Sequence, residues 1–136
     1  MLVLKGPRRL LLLRGARVLR DYEIALGNQP VGPKRHHRDG RTPEGRYLLD
    51  ARVVDSRFHR ALHISYPNAD DLAFARRAGV DPGGDVMIHG LPDGEGWIAD
   101  SHRTYDWTNG CIAVTDDEMN EIWELVDDGT PIEIRP

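Results

Sequence analysis

One cysteine, two phenylalanines and no extended apolar run are what this 136-residue chain has least of. A single thiol leaves no partner for an intramolecular disulfide and is silent on redox compartment. The longest apolar run, Leu10 to Leu13, falls far short of the roughly 20 residues that a membrane-spanning helix needs. The basic N-terminus never leads into a long apolar stretch, so no secretory-signal pattern precedes the fold. Polar low-complexity tracts, internal repeats and linkers are also missing. With 40% hydrophobic residues, the chain is expected to be globular, a single domain over residues 1–136 with one core. Nothing points to association, so a monomer is expected.

The net charge of −4 conceals an asymmetry. Residues 1–60 carry 14 Lys/Arg against 6 Asp/Glu, and residues 61–136 carry 4 against 16. The basic run from Lys34 to Arg41 contains no aromatic residue, and no nucleic-acid motif occurs anywhere. It reads as a solvated loop, and no nucleic-acid partner is expected.

The first half alternates like β-structure. Leu10 and Leu12, then Val18, Tyr22 and Ile24, alternate with charged residues around Arg14-Gly15 as in a hairpin. Thr42-Pro43-Glu44-Gly45 reads as a turn. Arg46 to Val54 and Ala61 to Ser65 read as strands. Asn68 is placed to cap a short helix through Arg77, with Gly79 just past its end. Asp85 to Ile88 is a short apolar strand with His89 at its tip, and Gly90 to Trp107 reads as a covering loop. Thr115 and Glu118 form a capping box for a helix whose stripe is Met119, Ile122, Trp123 and Val126. Pro131 to Arg135 alternates as a last strand. The fold class is therefore mainly β with one or two short helices.

The chemistry concentrates in Thr108-Asn109-Gly110-Cys111 and in His89-Gly90. A thiol attacks as thiolate, and a nearby imidazole is the usual means of generating one at neutral pH. Gly110 permits the tight turn that exposes a nucleophile, and backbone N–H groups at such a turn can meet an oxyanion. A free cysteine is more often a buried small hydrophobe, but the conjunction with His89-Gly90 favours catalysis by Cys111. His89, His102, Asp100, Asp106 and Cys111 match no zinc-ligand spacing, so no metal is expected.

These residues resemble the L,D-transpeptidase catalytic (YkuD) domain family. The resemblance runs from about Val3 to the C-terminus and rests on Thr42-Pro43-Glu44-Gly45-Arg46-Tyr47, Ile88-His89-Gly90 and Thr108-Asn109-Gly110-Cys111-Ile112. It implies a β-sandwich-like fold and no cofactor. Its implied substrate is a peptidoglycan stem peptide, placing the protein in the periplasm or cell envelope. It further implies Cys111 as nucleophile, His89 as acid/base, Gly90 as the carbonyl orienting that imidazole, and Gly110 at the oxyanion turn. Thr108, Asn109 and Arg103 are the substrate contacts expected beside this motif, and His102 is expected to touch substrate from its place in the covering loop. The family's usual Ser-His-Gly-Cys is here Thr108-Asn109-Gly110-Cys111, and its frequent arginine two places after the cysteine is Ala113, which makes Arg103 the candidate replacement. Gly-Cys-x-Ala-x-Thr-Asp looks like the branch containing a hydrolytic amidase. Three readings follow: a transpeptidase, a hydrolytic cysteine amidase or carboxypeptidase acting on peptidoglycan stems or on peptidoglycan-linked lipoprotein, and a wall-binding module without catalysis.

Overall fold

The computed structural model describes residues 1–136. Its strands are β1 (Leu2–Leu4), β2 (Arg9–Arg14), β3 (Arg17–Glu23), β4 (Gly45–Ser56), β5 (His59–Ile64), β6 (Met87–His89), β7 (Ile112–Ala113) and β8 (Pro131–Arg135). Helix α1 (Ala69–Ala78) precedes β6 and α2 (Asp116–Leu125) follows β7, while two short 3₁₀ turns, broken by a kink at Ala99, lie within Gly96–Thr104. The strands form one mixed sheet in the order β3-β2-β1-β8-β4-β5-β6-β7. Two pairs are parallel, β1 with β8 and β6 with β7; the other neighbours are antiparallel.

Side chains alternate across a strand, so each apolar period-two pattern puts one face on the core. Leu10 and Leu12 of β2, Tyr47 and Leu49 of β4, and Ile132 and Ile134 of β8 are all buried. They meet Met119, Ile122 and Val126 of the α2 stripe in one cluster. Each fully buried Leu or Ile there contributes roughly 1.5–3 kcal/mol relative to exposure. Strand β4 spans both halves of the sheet: Gly45 to Leu48 pairs with β8, and from Leu49 onward it pairs with β5 through a register shift.

The sheet curls until its far ends meet. Past β3, Ala25 N–H donates to the Ala113 carbonyl at 3.0 Å and Ala113 N–H returns the bond at 2.9 Å. Thr108 N–H donates to Leu26 O at 3.2 Å, and Asn28 N–H donates to Thr108 O at 2.9 Å. The segment leaving β3 thus pins the chain on both sides of Cys111.

Both helices obey their caps. Asn68 and Asp71 form a capping box on α1, which ends on Gly79 in the left-handed region. Thr115 and Glu118 form the expected box on α2. Elsewhere the expectations need correction. Thr42-Pro43-Glu44 is an irregular run rather than a turn, because it serves a buried lysine. Lys5 Nζ donates to Thr42 O at 2.8 Å, Gly32 O at 2.9 Å and Glu44 Oε2 at 2.9 Å. Lys34, expected in a solvated loop, is buried with its ammonium on Asp39 Oδ1 at 2.9 Å. The stretch from Gly90 to Trp107 contains the two 3₁₀ turns, and β1 and the two-residue β7 escaped the sequence reading.

Candidate active site

Strands β6 and β7 run parallel with Ile88 opposite Ile112 and His89 opposite Ala113. Ile88 and Ile112 both point into the core. By alternation, His89, just after Ile88, and Cys111, just before Ile112, belong to the opposite face. The register of two short strands therefore sets residues 22 positions apart in sequence on the same face of neighbouring strands.

His89 is buried, with its ring stacked on Phe58 at a centroid distance of 4.4 Å and an interplanar angle of 26°. The Trp107 ring lies at 5.8 Å. The imidazole Nδ1 is 2.7 Å from the Gly90 carbonyl. A carbonyl oxygen only accepts, so Nδ1 carries the hydrogen and Nε2 keeps its lone pair. Burial lowers the His89 pKa to about 4; the Gly90 carbonyl opposes this, and His102 adds a small downward push. The ring is neutral at pH 7. Gly90 is required by space: a Cβ there would lie 2.5 Å from Asp116 Oδ1, which accepts from Leu91 N–H at 2.8 Å.

Around the thiol, Thr108 Oγ1 donates to the Cys111 carbonyl at 2.7 Å and accepts from Gly110 N–H at 3.1 Å. That clamp bends the chain through Gly110, whose φ of 133° suits glycine. The Cys111 thiol donates to Asp85 O at 3.6 Å, and no hydrogen bond joins it to His89. Burial pushes the Cys111 pKa up, while the Met87 N–H and the Lys34 charge pull it down and Asp85 raises it further. Two-residue β7 separates the thiol from α2, so the helix N-terminus is not at the sulfur.

Cys111, Gly110 and Asn109 line a cleft of about 640 Å³ whose other walls include Lys34, His37, Arg38, Arg57 and Asp85. Thr108 is buried beneath the turn. His89 and Gly90 are not among the residues that line the cleft. His102 is buried outside the cleft, edge-on to the same Trp107 ring that lies near His89, beside a small cavity of about 110 Å³, with Trp107 Nε1 3.5 Å from its Nδ1. Arg103 is also outside the cleft: its guanidinium holds Glu118 at 2.8 Å and Asp100 at 3.0 Å. Of the eight residues singled out from sequence, Cys111, Gly110 and Asn109 line the cleft, Thr108 clamps their turn, His89 and Gly90 lie at the end of neighbouring β6 without lining the cleft, and His102 and Arg103 lie outside it. Phe58, Trp107, Lys34 and Arg57 escaped the sequence reading. No group of three or more His, Cys, Asp or Glu side chains converges as for a metal; Asp106 is held by Arg8 at 2.7 Å.

A strand-borne histidine fixed by the next carbonyl, beside a cysteine at a glycine turn, on a mostly β scaffold, defines the class. The chain belongs to the YkuD family, the L,D-transpeptidase catalytic domain, which matches residues 1–134. It is 31% identical over 112 residues to a protein of Escherichia coli K12 named "Putative L,D-transpeptidase YafK"; the match covers 80% of this chain and 37% of YafK. Among solved structures it is similar to Pgp2 of Campylobacter jejuni, a helical cell shape determining protein, with a TM-score of 0.75 and 24% identity, covering 98% of this chain and 46% of Pgp2. It also resembles an L,D-transpeptidase of Xylanimonas cellulosilytica, with a TM-score of 0.64 and 18% identity, covering 98% and 58%. The chain thus spans less than half of YafK and of Pgp2. No helix is long and apolar enough to cross a membrane.

Proposed function

We propose that residues 1–136 form a cysteine acyl-transfer domain that acts on peptidoglycan tetrapeptide stems in the cell envelope, as a monomer. The observation that carries this is the β6/β7 register, which sends His89 and Cys111 to one face, beside a cationic cleft. The scissile bond is that between the L-centre of the stem's diamino acid and its terminal D-alanine, as the family resemblance implies.

The resting pair is uncharged, a thiol kept protonated by burial and an imidazole kept neutral by burial. The proton therefore leaves Sγ for His89 Nε2 as sulfur attacks the carbonyl, in general-base fashion. Such hydrogen bonds tighten when substrate closes the site. The Gly90 carbonyl keeps hold of Nδ1–H and steadies the imidazolium. Gly110 N–H is engaged by Thr108, so the Cys111 N–H is assigned as the oxyanion donor. Collapse of the tetrahedral adduct breaks the C–N bond, and the imidazolium returns its proton to the departing amine. The thioester then passes its acyl group to an amine, giving a cross-link, or to water.

Hydrolysis is the second reading. Arg38 and Arg57 form no ion pair in the fold and line the cleft, where they disfavour an ammonium-bearing acceptor relative to water. Ala113, in place of the family's frequent arginine, supports the same reading. Incubation with a disaccharide tetrapeptide decides between the two. Free D-alanine with dimers as the main product supports transpeptidation; D-alanine with tripeptide alone supports hydrolysis; no D-alanine contradicts both.

A further inference from the structure

We infer that the cleft beside Cys111 selects acyl donors by a free carboxylate, and that Arg38 and Arg57 are its specificity-determining residues. The inference rests on the reading of Cys111 as the acylated residue and names the donor's required charge.

The cleft wall carries Lys34, His37, Arg38 and Arg57 against a single acidic residue, Asp85. These cations are not equivalent. Lys34 is buried and already spent: its ammonium holds Asp39 Oδ1 at 2.9 Å and the His36 carbonyl at 3.2 Å. Its charge supports the turn, since it lies 4.0 Å from where a Gly110 Cβ would be. Asp39 is held well ionised by backbone N–H groups and Lys34 despite its burial.

Arg38 and Arg57 differ. Neither guanidinium makes a hydrogen bond or ion pair within the chain, a freedom shared by exposed arginines such as Arg14, Arg17, Arg76 and Arg77; what sets Arg38 and Arg57 apart is their place on the wall of the Cys111 cleft. Arg38 is also presented from a residue with φ of 63°, an uncommon backbone for a non-glycine residue. Each of these exposed, unpaired guanidiniums on the wall of the cleft that holds the nucleophile can grip a carboxylate with two parallel N–H groups. A lysine-lined surface would act as a diffuse charge; planar guanidiniums discriminate a carboxylate from its isosteric amide, which presents an NH₂ where the second acceptor oxygen should be.

The test uses a tetrapeptide stem and matched versions in which each free carboxylate is converted singly to its amide. Wild type is compared with Arg38→Gln, Arg57→Gln and the double variant, reading kcat/KM for D-alanine release. Binding of the same peptides to Cys111→Ser by calorimetry runs in parallel. The wild type is expected to lose about tenfold or more on amidation at one or more positions, the order of a lost charged hydrogen bond. The double variant is expected to lose a similar factor on the free acid and little on that amide, so that the discrimination collapses. Turnover of every amide as fast as the acid overturns the inference and leaves the acyl-transfer reading standing, as does discrimination that survives in the double variant. Tight, carboxylate-dependent binding to Cys111→Ser without any turnover by wild type supports the cleft's selectivity and contradicts the catalytic reading. Neither binding nor turnover overturns both.

Discussion

The Nδ1–H of His89 donates to the carbonyl of the very next residue, Gly90, over 2.7 Å. That bond fixes the tautomer, and burial lowers the pKa to about 4. In the unfolded chain the same imidazole titrates near 6.5. Between those values the unfolded state binds more protons, so stability falls as pH drops from 6.5 toward 4 and is unaffected above. The loss is at most about 3 kcal/mol. Burial lowers the His102 pKa too, which gives a slope of the same sign. Urea unfolding between pH 4 and 7 should show His89→Gln with a visibly flatter pH dependence than wild type; parallel curves contradict the assignment. The acid limb of kcat/KM should likewise lie near pH 4, not 6.5.

Phe58 stacks on the same ring. Phe58→Ala should admit water, raise the His89 pKa toward its ordinary value and cost about 1–3 kcal/mol. NMR titration of the imidazole carbon protons reads the pKa directly, and an unchanged titration contradicts a desolvating role for Phe58.

Gly110→Ala meets two obstacles: φ of 133° and a new Cβ 2.8 Å from the Arg41 carbonyl. The expected cost is about 1–3 kcal/mol for the backbone alone. Activity should fall more than stability does, because the Thr108–Cys111 clamp is what aims the thiol. Thermal unfolding and D-alanine release on the same preparation separate the two effects.

Lys5 spends all three of its N–H donors inside the fold, on Glu44, Thr42 and Gly32. Lys5→Met strands Glu44 and two carbonyls and should destabilise by about 3–5 kcal/mol, the range for breaking a buried pair. Adding Glu44→Leu should recover part of that. Chemical denaturation of the single and double variants checks the sign.

Legibility in the sequence followed the range of each interaction. Both helix starts were readable because their caps are local, Asn68 with Asp71 and Thr115 with Glu118, whereas α2 stops at Leu125, before the Val126 read as part of its stripe. Strands β2 and β8 were readable from period-two burial, whereas in β3 only Tyr22 is buried and Val18, read as part of the apolar set, is half exposed. Strand β1 was not, since three residues at the chain start show no periodicity, and two-residue β7 exists only through its pairing with β6. His89 and Cys111 were legible as chemistry, but the register that relates them is long-range. Lys34 looked like part of a solvated basic run because its partner Asp39 becomes an ion-pair partner only when the loop folds back on itself. Phe58 gave no signal, being one aromatic near a strand turn until the sheet sets it on His89. Arg103 looked free in sequence and is engaged by Glu118 across the fold.

The central claim is that Cys111 carries the acyl group. Intact-protein mass spectrometry after rapid mixing with a disaccharide tetrapeptide, wild type beside Cys111→Ala, tests it directly. The account predicts an adduct on Cys111 equal in mass to the donor less D-alanine, with D-alanine released, and neither in the variant. D-alanine release by Cys111→Ala at the wild-type rate would contradict it.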